Sequence, residues 1–248
     1  MEEASSAKQL STTARREAPV RLATALLVGV LAFAVVRQGA FYPGELRVLV
    51  VVSLLAAATA FVSRPPERGD LAAPVAAAMA LGVWAATSAW LAGAVSGALP
   101  ALGLLAALVA VVVVLRRADE RERETVVSAV LLIGTLVAIS GWAGVAWRHW
   151  PQALEDQVLW RAASTITYAN ATAAVLAALA LLALARLGER CSVAGALTAW
   201  LLVTGLGATL SRAGLVGFAF GLVVLARLIG VRQVLSGWPI VLGAAVAV

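Results

Sequence analysis

Long apolar stretches, separated by short charged segments, divide the chain from residue 20 onward. Most of them run for about 17 to 24 residues, close to the ~20 that an α-helix needs to cross the hydrocarbon core of a bilayer. Helices satisfy their own backbone hydrogen bonds in lipid, and the alternating pattern of β-barrel strands is absent. The pattern therefore predicts an all-α, polytopic transmembrane helical bundle. The nine predicted spans cover residues 20–36, 46–63, 71–93, 97–115, 125–147, 170–185, 193–209, 213–229 and 234 onward.

The two ends of the chain differ from the rest. Residues 1–19 are polar and predict a cytoplasmic tail ahead of the transmembrane domain, residues 20–248. The last apolar run, 236–248, is too short for a span of about twenty residues. We therefore expect the transmembrane domain to be truncated at its C-terminal end, so that the chain is the N-terminal portion of a longer protein.

Composition supports a membrane location. The chain is 62% hydrophobic and only 13% charged, with a mean hydropathy of +0.96, which excludes a soluble domain. The net charge of +6 comes from short basic clusters between apolar blocks, which argues against a nucleic-acid surface.

The basic clusters also predict the orientation. With the N-terminus inside, the inner segments hold 14 of the 19 lysines and arginines, and the outer ones hold 5. Inner loops retain positive charge, so we expect a cytoplasmic N-terminus. In this orientation residues 116–124 form a solvated inner connector. The outer loop 148–170, which carries Trp150 and Trp160, suits an interfacial helix.

Signatures of common catalytic sites are missing from the sequence. The single histidine, His149, and the single cysteine, Cys191, cannot form a metal site of the usual His and Cys types. His149 is interpreted as an interfacial residue beside Trp150. Phosphate-binding glycine loops and nucleophile elbows are also absent, so we expect neither a metal nor another cofactor.

Two outer arginines are the candidates for binding. Arg212 is the only charge in the stretch from 192 to 226, where an arginine is costly unless it meets water, a partner or an anion. It either snorkels from a tight turn or binds an anionic group, with Ser211 as an additional hydroxyl donor. Arg161 precedes a polar run that leads into the sixth span. Asn170 or Thr167 is expected to cap that helix, whose N-terminal end also favours an anion.

These two segments resemble the O-antigen ligase and polymerase family. Arg161, followed by Tyr168 and Asn170 at the start of an Ala/Leu-rich span, is similar to that family's R…Y-x-N motif. The segment TLSRAGLVGFAFGLVVL, with Ser211 and Arg212, is similar to its T-x-S-R-(G/A) helix start. The resemblance covers roughly residues 125 to 232.

The resemblance implies a multi-pass glycosyltransferase of polysaccharide biosynthesis in the cell envelope, located in the plasma membrane of a bacterium. Such enzymes take sugar chains from undecaprenyl-pyrophosphate carriers at the outer face of the plasma membrane and transfer them to a glycan or lipid acceptor. It implies that Arg161 and Arg212 bind the pyrophosphate, with Ser211, Tyr168 and Asn170 in support. The family's catalytic histidine belongs to a later external loop, so no catalytic residue is predicted here. A transporter or flippase for an anionic or lipid-linked substrate, and a non-catalytic membrane scaffold, remain alternatives.

Overall fold

The computed structural model describes residues 2–63, 71–156, 159–190, 192–236 and 238–247. Helices account for most of these residues, and one two-stranded sheet lies between the fifth and sixth helices. The elements are α1 Glu2–Val36, α2 Pro43–Ser63, α3 Ala72–Leu91, α4 Ala98–Arg117, α5 Glu120–Trp147, β1 Ala153–Asp156, β2 Leu159–Ala162, α6 Ala169–Glu189, α7 Val193–Ala208, α8 Arg212–Ile229, α9 Val231–Ser236 and α10 Trp238–Ala247.

Seven of the helices in the described part of the chain are long and apolar enough to cross a membrane. They correspond to the first six predicted spans and to the eighth. The remaining two predictions fall on shorter helices. α7 has 16 residues, or about 24 Å of rise against the ~30 Å of a hydrocarbon core. The last apolar region holds the short helices α9 and α10. The chain is therefore a helical membrane protein with seven candidate spans.

The chain divides into two compact units, which we describe separately. The first consists of Met1–Ala34 and Ala40–Val127. In it α4 packs against both α2 and α3. A Cβ atom at Gly103 would lie 3.2 Å from Val50 Cγ2, so the α2–α4 contact is close. None of the residues of α3 is buried, as expected for an apolar helix whose surface faces lipid.

The charged stretch of the first unit differs from the prediction of a solvated connector. Only Ala118 and Asp119 separate α4 from α5. The Asp119 carboxylate accepts a hydrogen bond from the Glu122 N–H (2.8 Å), and the Glu122 carboxylate accepts one from the Asp119 N–H (2.8 Å). This reciprocal capping box starts α5 within the charged run. The high charge density thus marks a helix start, and Arg117 and Glu122 are buried.

The second unit consists of Val35–Gly39 and Ser128–Val248, and α6 packs against both α7 and α8. Its core is almost entirely aliphatic, with Leu176 of α6 and Leu202 and Leu206 of α7 essentially inaccessible. Small residues bring the helices together: a Cβ atom at Gly214 would lie only 2.6 Å from the Cβ of Ala173. This close approach of α8 to α6 fixes how the N-terminal ends of the two helices meet.

The segment between α5 and α6 of the second unit contains a β-hairpin, so the prediction of an interfacial helix in this segment is wrong. β1 and β2 are antiparallel, with Ala153 opposite Ala162 and Leu154 opposite Arg161. β2 contains Trp160, a residue type that strands favour, and hairpin pairing satisfies the backbone groups of both strands locally. A 3-10 turn, Ser164–Ile166, joins β2 to α6.

A candidate anion-binding site

The β-hairpin is anchored to α5 and α6 by buried hydrogen bonds. The carbonyl of Gln152 accepts from the N–H groups of Ala163 (2.9 Å) and Ser164 (2.8 Å). The Ser164 hydroxyl donates to the carbonyl of Val137 in α5 (2.8 Å), and the Thr172 hydroxyl of α6 donates to the carbonyl of Ala163 (2.6 Å). Since Ser164 and Thr172 are both fully buried, the position of β2 is fixed relative to the helices.

Arg161 projects from β2 and is held by three partners. Its Nε donates to the carbonyl of Thr209 (3.0 Å), one terminal nitrogen donates to Asp156 Oδ2 (2.9 Å), and the other donates to Asn170 Oδ1 (3.3 Å). The Arg161 side chain is 23% exposed and that of Asp156 is 52% exposed. A guanidinium has five N–H donors, so up to two of them are left for a ligand.

Asn170, in the first turn of α6, connects the arginine to α8. Its Oδ1 accepts from Arg161 and also from the Ser211 hydroxyl (3.0 Å). Its amide nitrogen lies 3.4 Å from the Tyr168 hydroxyl, which makes this the longest hydrogen bond of the group. The prediction that Asn170 or Thr167 caps α6 is wrong. The N-cap position is Tyr168, whose side chain makes no capping hydrogen bond. The side-chain amide of Asn170 instead accepts hydrogen bonds from β2 and from the residue that precedes α8.

Ser211 occupies the N-cap position of α8. Its hydroxyl oxygen accepts a hydrogen bond from the N–H of Gly214 (3.2 Å) while its proton is directed to Asn170. The preceding turn is also fixed, because the Thr209 hydroxyl donates to the carbonyl of Leu206 (2.7 Å) and accepts from the N–H of Ser211 (3.2 Å). Leu210 between them has φ 52°, a left-handed conformation that is uncommon for leucine. The hydroxyl groups thus hold a constrained turn beside Arg161.

Arg212 is the first residue of α8, and its side chain is exposed. Among the residues that the structure describes, none forms a hydrogen bond or an ion pair with its guanidinium. Arg212 follows Ser211 directly. It is therefore next to the turn whose Thr209 carbonyl accepts the hydrogen bond of Arg161 Nε. One arginine of the pair is therefore fixed and the other is available.

The electrostatics of this end of the unit favour an anion. α6 and α8 both begin here, and the hydrogen bond between Asn170 and Ser211 joins their first turns. Helix N-termini carry partial positive charge and N–H groups without intrahelical partners. The guanidinium groups of Arg161 and Arg212 add two positive charges, and the carboxylate of Asp156 offsets one of them. We call Arg161, Asn170, Ser211 and Arg212 the arginine cluster.

The structure brings together the residues that the sequence singled out. Arg161, Tyr168, Asn170 and Ser211 form one hydrogen-bonded network, and Arg212 adjoins it. Two participants were not foreseen. Asp156 pairs with Arg161 because the unpredicted hairpin places it there. Thr209 contributes a backbone carbonyl, for which a side-chain pattern gives no signal.

Within the described residues, no group of three or more His, Cys, Asp or Glu side chains is arranged to hold a metal ion. Comparisons of the chain with protein-family models, with curated proteins and with solved structures find no match. The fold and the apolar helices define the class, a helical membrane protein. The arginine cluster is the basis for assigning it a function.

Proposed function

We propose that the chain is an O-antigen ligase-like membrane protein that binds an undecaprenyl-pyrophosphate-linked glycan. In this proposal the pyrophosphate lies at the arginine cluster, and the glycan is passed on to a glycan or lipid acceptor at the outer face of a bacterial plasma membrane. The observation that supports it most directly is the joining of Arg161, Asn170 and Ser211 by hydrogen bonds, with Arg212 exposed beside them. These residues come from the two separate segments that resemble the ligase family.

The cluster suits a pyrophosphate for electrostatic reasons. When a glycan leaves its carrier, negative charge develops on the pyrophosphate, and cations already in place stabilise that charge without reorganising. The three hydrogen bonds of Arg161 keep its guanidinium oriented. Arg212 can close on the other side of the phosphate and offer two parallel donors. The assigned role is donor binding, and we assign the transfer step itself to no residue of the chain.

The experiment is a binding measurement with the purified chain in lipid nanodiscs. The probes are undecaprenyl pyrophosphate and, as a neutral counterpart, undecaprenol. Hydrogen bonds to charged groups contribute about 1.5–3 kcal/mol, so Arg212→Ala should weaken pyrophosphate binding by about 10- to 100-fold. Arg212→Lys should also be impaired, because an ammonium does not reproduce the bidentate contact.

Arg227→Ala is the matched control. It removes an exposed arginine from the last turn of the same helix, about 22 Å along the axis from Arg212. Equal affinities of Arg212→Ala and the unsubstituted protein for undecaprenyl pyrophosphate would contradict the proposal, as would equal losses in both arginine variants. Movement of the lipid between leaflets, lost in Arg212→Ala, would instead favour the flippase alternative.

A further inference from the structure

A second feature of this unit is a mostly apolar cavity at the C-terminal end of α5. It has a volume of about 360 Å³ and is lined by Ser140, Ala143, Gly144, Trp147, His149 and Gln152. This volume lies at the lower end of the ~300–1,000 Å³ that is typical of small-molecule sites. The cavity is suited to one ring with its substituents.

The chain builds this cavity by reversing sharply after α5. The N–H of His149 donates to the carbonyl of Gly144 (2.8 Å), and the N–H of Arg148 donates to that of Val145 (3.3 Å). With Arg148 at φ 51°, these bonds form a Schellman motif, which directs the following residues back over the last turns of the helix. A Cβ atom at Gly144 would lie 2.7 Å from the Cβ of Gln152, so only glycine permits this return.

The lining groups indicate what the cavity can hold. Trp147 is 79% exposed and presents an apolar ring, while His149 and Gln152 supply an imidazole and an amide. Gln152 Oε1 is buried and has no hydrogen-bond partner in the described structure, which is unfavourable for a polar atom. Rotation about the last side-chain torsion, which is soft in glutamine, can direct the amide to a ligand. A purely apolar ligand would leave this acceptor unpaired, whereas a hydroxyl group would satisfy it.

The cavity and the arginine cluster adjoin the same β-hairpin. Gln152 directly precedes β1, in which Leu154 lies opposite Arg161. Two residues of strand, about 7 Å, therefore separate the Cα atom of Gln152 from that of the residue paired with Arg161. The hairpin therefore connects the cavity directly to the arginine cluster.

We propose that this cavity is the subsite for the first sugar of the lipid-linked glycan. The apolar C–H face of a pyranose ring lies against Trp147, and its hydroxyl groups hydrogen bond with His149 and the amide of Gln152. This inference rests on the proposed function, because the glycan is assigned through its pyrophosphate. It adds that the protein distinguishes a sugar-bearing carrier from the bare carrier.

The test compares the affinities of two probes for the purified chain in nanodiscs: undecaprenyl pyrophosphate and undecaprenyl-pyrophosphoryl N-acetylglucosamine. The unsubstituted protein should bind the sugar-bearing lipid about 3- to 10-fold more tightly, the range of an aromatic stacking contact. Trp147→Ala should bring this ratio close to one and leave the affinity for the bare lipid unchanged. Gln152→Leu, which has similar volume but no amide, should lower the ratio in the same direction.

Trp90→Ala is the control, because it removes a tryptophan of similar exposure, 71%, from α3. Equal affinities of the unsubstituted protein for the two lipids, or a ratio that Trp147→Ala and Gln152→Leu leave unchanged, would overturn the sugar subsite. In those cases tight binding of the bare lipid and its loss in Arg212→Ala would still support the proposed function. Failure of both lipids to bind would overturn both proposals.

Discussion

The carboxylate of Asp156 lies 2.9 Å from the guanidinium of Arg161 and competes with any anion for it. We predict that Asp156→Asn increases the affinity for undecaprenyl pyrophosphate. The substitution keeps the shape of the side chain and removes one negative charge. Thr209 and Asn170 continue to hold the guanidinium through two other hydrogen bonds, so Arg161 should keep its orientation.

The magnitude follows from the distances and the exposure of the pair. For a phosphate about 6 Å from the carboxylate, the repulsion is roughly 0.7 kcal/mol per unit charge at the dielectric constant of water and about 2.8 kcal/mol at an effective value of 20. Asp156 is about half exposed, so the expected gain is about 1 kcal/mol, or roughly fivefold. The ion pair itself contributes at most ~1 kcal/mol to folding at this exposure, and thermal stability should therefore change little.

The neighbouring residue provides the matched control. Glu155 has the same charge and lies in the same strand, but adjacent strand residues project to opposite faces. Glu155→Gln should therefore have much less effect on affinity. Isothermal titration in nanodiscs at low and high salt measures the affinity of both variants for undecaprenyl pyrophosphate. The gain from Asp156→Asn should shrink at 1 M salt, because the Debye length falls to about 3 Å and the repulsion between carboxylate and phosphate is screened.

Two results would refute this reasoning. If Asp156→Asn weakened the binding of undecaprenyl pyrophosphate, the carboxylate would be needed to orient Arg161, and the two other hydrogen bonds would be insufficient. If Asp156→Asn and Glu155→Gln raised affinity equally, the effect would come from the overall charge of the hairpin, and the contact with Arg161 would have no special role.

Two further substitutions test the cluster and its support. Asn170→Asp preserves the acceptor oxygen shared by Arg161 and Ser211 but adds a negative charge. It should therefore weaken undecaprenyl pyrophosphate binding by about 10-fold or more without loss of thermal stability. Unchanged affinity would argue against an anion at this position. Gly214→Ala places a Cβ atom 2.6 Å from that of Ala173 and should lower the free energy of unfolding by about 1–3 kcal/mol. Gly217→Ala in the same helix, where a Cβ atom meets nothing within 4 Å, should leave the free energy of unfolding unchanged or raise it by up to ~1 kcal/mol in the same denaturation assay. Equal losses in the two variants would show that α6–α8 packing is not the cause.

The transmembrane helices were predictable from the sequence because lipid imposes one simple requirement. An apolar segment of sufficient length must be helical to satisfy its backbone, and the stretches that became α2, α4 and α6 are of this kind. The boundaries were less predictable where charged residues are helical. α5 begins at Glu120 inside the charged run, since the Asp119 and Glu122 side chains cap it.

The hairpin was not predictable by the same reasoning. Its strands have only four residues each, too few for an alternating pattern, and its tryptophans suggested an interfacial helix. The pairing of Asp156 with Arg161 depends on this hairpin and was therefore missed. By contrast, Arg161, Asn170, Ser211 and Arg212 were visible as polar residues at the ends of apolar segments, where a polar residue needs a specific reason to occur.

The different environments of the two arginines determine what each substitution can reveal. Removing the Arg161 side chain would leave the carbonyl of Thr209 without its donor and Asn170 Oδ1 with the Ser211 hydroxyl alone, so a loss of binding would be mixed with a loss of local structure. The exposed guanidinium of Arg212 has no partner among the described residues, and its removal leaves no acceptor unpaired. A ligand must fix the rotamers of this exposed side chain, which costs about 0.5–1.5 kcal/mol, while the hydrogen bonds of Arg161 already fix its guanidinium. A binding defect in Arg212→Ala therefore reports on the ligand alone, which makes Arg212 the decisive residue of the pair.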